Sequence, residues 1–583
     1  MRIWSATVVC LVLGAGARAA EEAYLKPPSV SGPGGRFGVA VAVSGDTAVV
    51  GELGEDGVAQ NSGAAHVFVR SGGAWAHQAT LKASNAGFDD QFGTAVSISG
   101  DTIVVGAPRE RSAGHPLDDT AVHAGAAYVF VRSGTTWSEQ AYLKASNAEG
   151  GDRFGNAVAI SGDTIVVGAW TERSNATGVN GNALDNSFGY AGAAYVFARS
   201  GSNWTEQAYL KASNTGTNDH FGWSVAVDGD LAVVGAVKES SASAGVDGNQ
   251  ADDSLFAAGA AYVFERSGTT WAQAAYLKAS NAGFDDQFGW SVAVSGETVV
   301  VGAPMERSQA IEVDGEQDDD TGGDRGAAYV FERSGGSWGQ TAYLKPTTQS
   351  NNLFGQSVAV DGGTVLVGAI TDSTDASWSG AAYVFVDAPS GWAGQAYLWP
   401  VAGDADDQFG TSVALSGDTA VVGAPNEDSA ATGVGGDQTD DSLSFAGAAW
   451  VHSVGQPWIG LGHAKGGVCW VPLLTVDATL TPGSAGSLTL LDVCGFAPAA
   501  LFVGLSAGYV SGLGGTLVPS PLAAQLYLTV PASGTVHLPF VGPPVVPPGT
   551  KVYVQFGIHD AAVVTGTPDG VAFSNAVELT AQP

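Results

Sequence analysis

Basic residues are scarce in this chain: 23 Lys and Arg face 57 Asp and Glu, for a formal charge of −34. Such a surface repels nucleic-acid phosphates and anionic membranes, and it favours cations. Charged residues of both signs are only 14% of the sequence, so the acids must be concentrated. Methionine is nearly missing, with 2 residues, and cysteine counts 3. Beyond the first residues no apolar run reaches the ~18 needed for a membrane helix, so no membrane span is expected. Catalytic constellations are missing too. The 9 histidines are scattered, with neither His-Glu-x-x-His nor a pair at metal spacing. Carboxylates are plentiful, but nothing singles out two as an acid/base pair.

What is present begins with a leader. Arg2 supplies a positive start, Ala6 to Leu13 is mostly apolar, and Ala17-Arg18-Ala19 is a small-residue cleavage site. Residues 1–19 are therefore expected to be a signal peptide, and the protein to be secreted or on the cell surface. Thr7-Val8-Val9 lacks the small residues that a lipoprotein site at Cys10 would want. Two cysteines then remain, Cys469 and Cys494, with a single possible pairing; the alternative is two buried thiols.

The body of the chain repeats. Phe-Gly recurs at Phe37, Phe92, Phe154, Phe221, Phe288, Phe354 and Phe409, at spacings of 55, 62, 67, 67, 66 and 55 residues. The fifth copy continues through Ser291-Val-Ala-Val, Thr298-Val-Val-Val-Gly-Ala-Pro304, Gly326-Ala-Ala-Tyr-Val-Phe331 and, after a Trp, Tyr343-Leu-Lys345. Each repeat thus holds four β-branched or aromatic runs bounded by turn residues. Ser-Gly-Asp/Glu-Thr joins the first two, and Arg-Ser-Gly-x-x joins the last two, as hairpin turns. Four antiparallel strands repeated seven times predict an all-β seven-bladed β-propeller. The pieces do not close evenly. Tyr24-Leu25-Lys26 precedes the first Phe-Gly with no blade of its own, whereas the last repeat ends after Gly447-Ala-Ala-Trp-Val451 without a fourth strand. The orphan strand is expected to fill that vacancy.

The Phe-Gly and Val-Gly-Ala-Pro pairing resembles the FG-GAP repeats of integrin α-subunit propellers and of many exported bacterial proteins, over residues 20 to 453. The resemblance implies the propeller fold; one fold hosts many sites, so it says much less about function. It also implies a calcium loop between the first two strands of several blades. That loop is here only Ser44-Gly45-Asp46-Thr47 and its equivalents, too short to wrap a cation needing 6–8 oxygens. A Gly-rich linker is expected over 454–467, and a smaller β-sandwich-like all-β domain over 468–583.

Topology sorts the loops. The first and third turns of a blade share one end; the second loop and the link to the next blade share the other. The second loops and links carry 37 of the 57 acids but 8 of the 23 basic residues. Four second loops share a pattern with Gly at the third place and oxygen-bearing side chains recurring after it. These are Val179–Ser187 (Asn180, Asn182, Asp185), Val246–Ser254 (Asp247, Asn249, Asp252, Asp253), Val313–Thr321 (Asp314, Glu316, Asp319, Asp320) and Val434–Ser442 (Asp437, Asp440, Asp441). Converging oxygens suit calcium, the one cofactor expected. The competing reading is a solvated loop whose side chains cap their own backbone. Four residues after each Gly of Gly-Ala-Pro sits an acid: Glu55, Glu110, Glu172, Glu239, Glu306, Asp372 and Glu427. Present in all seven repeats, this ring reads as structural, each acid taking backbone N–H groups. Asp90, Asp152, Asp219, Asp286 and Asp407, two residues before Phe-Gly, read as turn caps, and the Trp series 75, 137, 204, 271, 338 and 392 as blade packing.

The expected function is a monomeric binding or adhesion module, with an extracellular protein or glycan ligand on the acidic face and calcium in its loops. The alternatives are a glycan-acting hydrolase or lyase with its site on the same face, and a structural spacer of a surface protein.

Overall fold

In this computed structural model the described residues are 17–18, 20–29, 32–116, 118–347, 352–373, 376–400 and 403–454, plus the backbone of 8 strands between Leu473 and Thr580. The chain divides into two units. In the second, the strands form two antiparallel groups, one built on Ala485–Leu491 and one on Pro498–Gly504. The side-chain packing of the sandwich expected over 468–583, cysteines 469 and 494, residues 455–467 of the linker and nearly all of the leader lie outside the described residues.

The first unit, Arg18–Gln456, is a seven-bladed β-propeller, with no helix among its described residues. Blade 4 shows the plan: Phe221–Asp228, Leu231–Ala236, Ala260–Ser267 and Thr270–Leu277, paired in that order. Two-residue turns join the outer pairs, with Gly229 and Gly268 at φ 56 and 65. Leu231–Ala236 is buried at every position, which is why the second run of each repeat is continuously apolar rather than alternating.

The core is a series of layers between neighbouring blades. Phe221, for instance, shares one layer with Ala194, Val196 and Leu210 of blade 3. Its ring meets Tyr262 and Phe264 edge-on at 5.4 and 6.1 Å, a favoured aromatic geometry. The next residue, Gly222, has φ 85, and a Cβ there would lie 2.1 Å from the Ala193 carbonyl oxygen. A Cβ on Gly168, the Gly-Ala glycine of blade 3, would lie 2.1 Å from the Gly222 oxygen. The two glycines of the repeat are thus where one blade's backbone rests on the next.

The ring closes by the same contacts. Phe37 bridges Gly447, and a Cβ on Gly423 would lie 2.0 Å from the Gly38 oxygen. Ala20–Leu25 is the outer strand of blade 7, pairing antiparallel with Ala448–Ser453, with Tyr24 opposite Trp450. Beyond the strand, the Lys26 amide donates to the Gly433 carbonyl at 2.8 Å. Tyr24, Leu25 and Lys26 are fully buried. Removing residues 20–27 should therefore cost on the order of 5 kcal/mol, from lost apolar burial and a broken buried ion pair. Circular-dichroism melts should show the whole propeller transition shifted down by roughly 10 °C. An unchanged melting midpoint would mean that the strand contributes nothing to the ring.

Candidate functional site

The hairpin turns emerge at one end of the propeller, and the long second loops and interblade links at the other. This second end, the loop face, holds the acidic ring, the turn-capping aspartates and the four patterned loops.

The acidic ring lies beneath that face. Glu239 follows the second strand of blade 4 and is 1% exposed. Its carboxylate accepts from the Tyr276 hydroxyl at 3.0 Å, on the outer strand of the same blade, and from Lys278 Nζ at 2.9 Å, just after that strand. Asn214 Nδ2, from the link before the blade, adds a third contact at 2.9 Å. That asparagine's Oδ1 in turn accepts from Tyr262 at 2.6 Å. Glu172, Glu306 and Glu427 repeat the Tyr and Lys contacts, with Lys at 3.0, 2.6 and 2.7 Å. Glu110 binds Tyr142 and Lys144, and Glu55 pairs with Lys82. Burial pulls the Lys278 amine below its usual range, and Glu239 beside it pulls it back up. The ring is therefore a set of latches tying outer strand, second loop and preceding link together. A buried pair of this kind is costly to break on one side only.

The sequence reading missed the lysines as partners, although the signal was there. In blade 6 the acid is Asp372 rather than Glu, and Trp399 stands where the other outer strands end in Lys. The two positions change together. Asp372 takes Tyr383 at 2.6 Å, Tyr397 at 3.2 Å and Asn352 at 3.1 Å instead.

The aspartates before Phe-Gly do cap turns. Asp219 accepts the Gly216 amide at 2.6 Å, and Asp90, Asp152, Asp286 and Asp407 take the equivalent amides. Burial pushes Asp152, Asp219, Asp286 and Asp407 up to about 7 and Asp90 up to about 6; the nearby ring glutamate pushes the same way.

In the four patterned loops, the side chains bond to nearby backbone. Asp252 accepts the Ser254 and Ala242 amides, and Asn249 the Ala251 amide. Asp185, Asp319, Asp437 and Asp440 each accept the amide two residues on, as do Asn182 and Glu316. Asn180, Asp247 and Asp314 reach further, to the amides of Tyr209, Tyr276 and Tyr343. Among the described residues, no three His, Cys, Asp or Glu side chains gather as a metal cluster. Two eighth-position acids stand close to other carboxylates: Asp320 is raised by burial and then by Glu306, and Asp441 helps to raise Asp404.

The opposite end is latched by other groups. Arg266 binds Asp230 at 2.7 Å and lies over Trp271, and Trp271 Nε1 donates to Gln207 of the preceding blade at 2.8 Å. Trp137 and Trp204 do the same with Gln78 and Gln140, so these tryptophans join blades.

One asymmetry between the ends was not foreseen. Among the described residues, 10 large hydrophobic side chains are well exposed, and every one lies in a second loop or link. Six are aromatic: Phe88, Tyr190, Phe256, Phe284, Trp378 and Phe445. Tyr190, Trp378 and Phe445 sit at φ 54 to 58, a region that bulky residues avoid. Their carbonyls accept amides from the residue before the next Phe-Gly, as Tyr190 does from His220 at 3.1 Å.

The fold and these latches define a β-propeller built from one strand-turn pattern. The chain belongs to the FG-GAP repeat family, whose model matches residues 21–68, 75–130, 137–197, 204–264, 271–331, 338–385 and 392–439. A search of curated proteins finds no match. Solved structures similar to it include an acylaminoacyl peptidase from Pyrococcus horikoshii, at 9% identity and TM-score 0.37, covering 82% of this chain and 60% of that one. The β-propeller domain of the Trilobed protease from Pyrococcus furiosus matches at 9% identity and TM-score 0.35, covering 69% and 91%. An exo-beta-1,3-galactanase from Phanerochaete chrysosporium matches at 10% identity and TM-score 0.27, covering 86% and 96%. Likeness this distant carries no argument about activity. No helix among the described residues is long and apolar enough to cross a membrane.

The raised aspartates give a pH dependence of known sign. A carboxyl whose folded pKa lies above its unfolded value adds stability that is full below about pH 4 and lost as pH rises through about 7. Asp219→Asn keeps an oxygen for the Gly216 amide and removes the charge. It should raise the melting temperature at about pH 8 and change it little at about pH 4. A drop at pH 8 would show that the ionised form is the one the fold prefers.

Proposed function

We propose that this chain is a secreted or cell-surface binding module whose ligand, a protein or a glycan, docks on the loop face. The observation that carries this reading is the segregation of the exposed large apolar side chains to the end that also bears the acid excess. Single exposed hydrophobics are ordinary on any surface, but their confinement to one face is not. Aromatic side chains among polar ones are the usual composition of a binding patch. The enzyme alternative would draw on carboxylates of raised pKa. Those pushed up to about 6 or 7 recur in five blades, each occupied with its turn, which favours a structural use. For the test, a large polymer is attached to a cysteine placed at Asp318 on the loop face, or at Thr269 at the opposite end. Retention of the full chain on an array of glycans and matrix proteins should be lost with the first and kept with the second. Retention with the loop face blocked overturns the reading.

Calcium belongs to the same proposal. The approach of Asp320 to Glu306 and of Asp441 to Asp404 is a like-charge proximity that a cation relieves. Binding at typical extracellular strength, Kd ~10⁻⁴–10⁻³ M, would stabilise the folded state by mass action. Calcium should then raise the melting temperature and chelator lower it. Neutralising Asp252, Asp253, Asp319, Asp320, Asp440 and Asp441 should abolish the response. Identical melts in chelator and in excess calcium remove calcium from the reading.

A further inference from the structure

The repeats differ at one place on the loop face, where blades 3, 4 and 5 meet. Trp170 follows the second strand of blade 3, and Trp223 and Trp290 follow the Phe-Gly of blades 4 and 5. Other blades carry Val39, Thr94, Asn156, Gln356 and Thr411 where these two tryptophans stand. At the Trp170 position they carry leucine, valine, isoleucine or proline. The rings form one continuous patch. Trp170 lies 5.1 Å from Trp223, and Trp223 lies 4.8 Å from Trp290. His220 is 4.7 Å from Trp170 and stacks on Trp223 at 6.2 Å with 15° between planes; exposed Tyr190 meets its edge.

Three features separate this patch from ordinary packing. All three tryptophans are half-buried, whereas the aromatic residues that fill the layers between blades, such as Phe221 and Tyr262, are buried completely. Its polar edges are unsatisfied: Trp170 Nε1 and His220 Nδ1 are buried without a hydrogen-bond partner, and His220 is only 9% exposed. At the other end Trp137, Trp204 and Trp271 have their N–H bonded, and Trp338 Nε1 is left without a partner. An unpaired buried donor or acceptor is costly, so one kept in a folded protein calls for a reason. Finally, the patch breaks the sevenfold repetition, as a site for one ligand must and a structural latch need not.

The flanking charges narrow the ligand. Arg153 lies over the Trp170 ring at 5.2 Å, and Lys238 follows the blade 4 strand that ends beside Trp223's own. Two cations at the patch oppose an ammonium ligand in an aromatic cage. The acidic loops around them oppose a polyanion. A sugar ring without charge is compatible with both fields. Its C–H face packs on an indole, and its hydroxyls can pair with Arg153 and Lys238.

We propose that the Trp170–His220–Trp223–Trp290 patch is a binding site for a neutral glycan. The proposal rests on the reading of the loop face as a binding surface and names its ligand class. The full chain is titrated calorimetrically with neutral gluco-, manno-, xylo- and galacto-oligosaccharides, a sulfated oligosaccharide, tetramethylammonium and an aromatic peptide. At least one neutral oligosaccharide should bind and shift tryptophan emission. Trp223→Ala with Trp290→Ala should weaken that binding by about tenfold or more. Trp378→Ser with Phe445→Ser, on blades 6 and 7 of the same face, should leave it intact. If the alanine pair does not fold, Trp223→Phe should weaken binding by about threefold at an unchanged melting temperature. Loss in the Trp378/Phe445 variant alone would leave the binding face standing and overturn this site. Binding of only the sulfated sugar, the ammonium or the peptide, or of none of the panel, overturns the neutral-glycan assignment.

Discussion

The structure depends on a contact between two glycines. In each blade the glycine after Phe lies with its carbonyl oxygen against the glycine of Gly-Ala in the blade before, too close for any side chain. That approach lets the Phe beside it enter the layer between blades, and it sets the backbone bridge from each Phe to the glycine before Ala-Ala. Because the contact joins neighbours only, each blade needs the next, and a ring of seven has no free end. Gly38 against Gly423 completes the circle, with Tyr24 and Leu25 filling the last blade.

Around that frame the two ends of the propeller solve different problems. The hairpin end is short-turned and tied by Arg–Asp pairs with Arg lying over Trp, leaving little room for variation. The loop end carries segments of unequal length that must be anchored without being shortened. The buried Glu–Tyr–Lys–Asn latch does this from below, so the loops above it can change freely. The acidity of the face thus has two components. Part is committed beneath the surface to lysines and turn amides, and part is solvated in the loops. Counting acids in the sequence merges the two.

The aromatic side chains divide in a similar way. Those of the repeat pattern fill the layers between blades or hold the outer strands together. Those outside the pattern gather on the loop face, and in blades 3 to 5 they touch one another. Irregularity against a regular background is therefore where ligand specificity is most economically encoded, because changing one blade leaves the contacts of the other blades intact.

The repeat itself was legible in the sequence. Strand runs, two-residue turns and the spacing of Phe-Gly are local signals, and seven copies reinforce one another until the fold has no rival. The need for Tyr24-Leu25-Lys26 to fill the last blade followed from counting pieces. The turn caps at Asp219 and its equivalents, and the packing role of the outer tryptophans, were local inferences too. The partners of the acidic ring were not legible in this way. Glu239 and Lys278 are 39 residues apart and meet only because the second loop and the end of the outer strand leave the blade at the same end. The joining of Trp170, Trp223 and Trp290, on three blades, likewise needed the ring. A sequence specifies its turns and strands through neighbours along the chain. Which side chains share a surface is decided by how the blades stack.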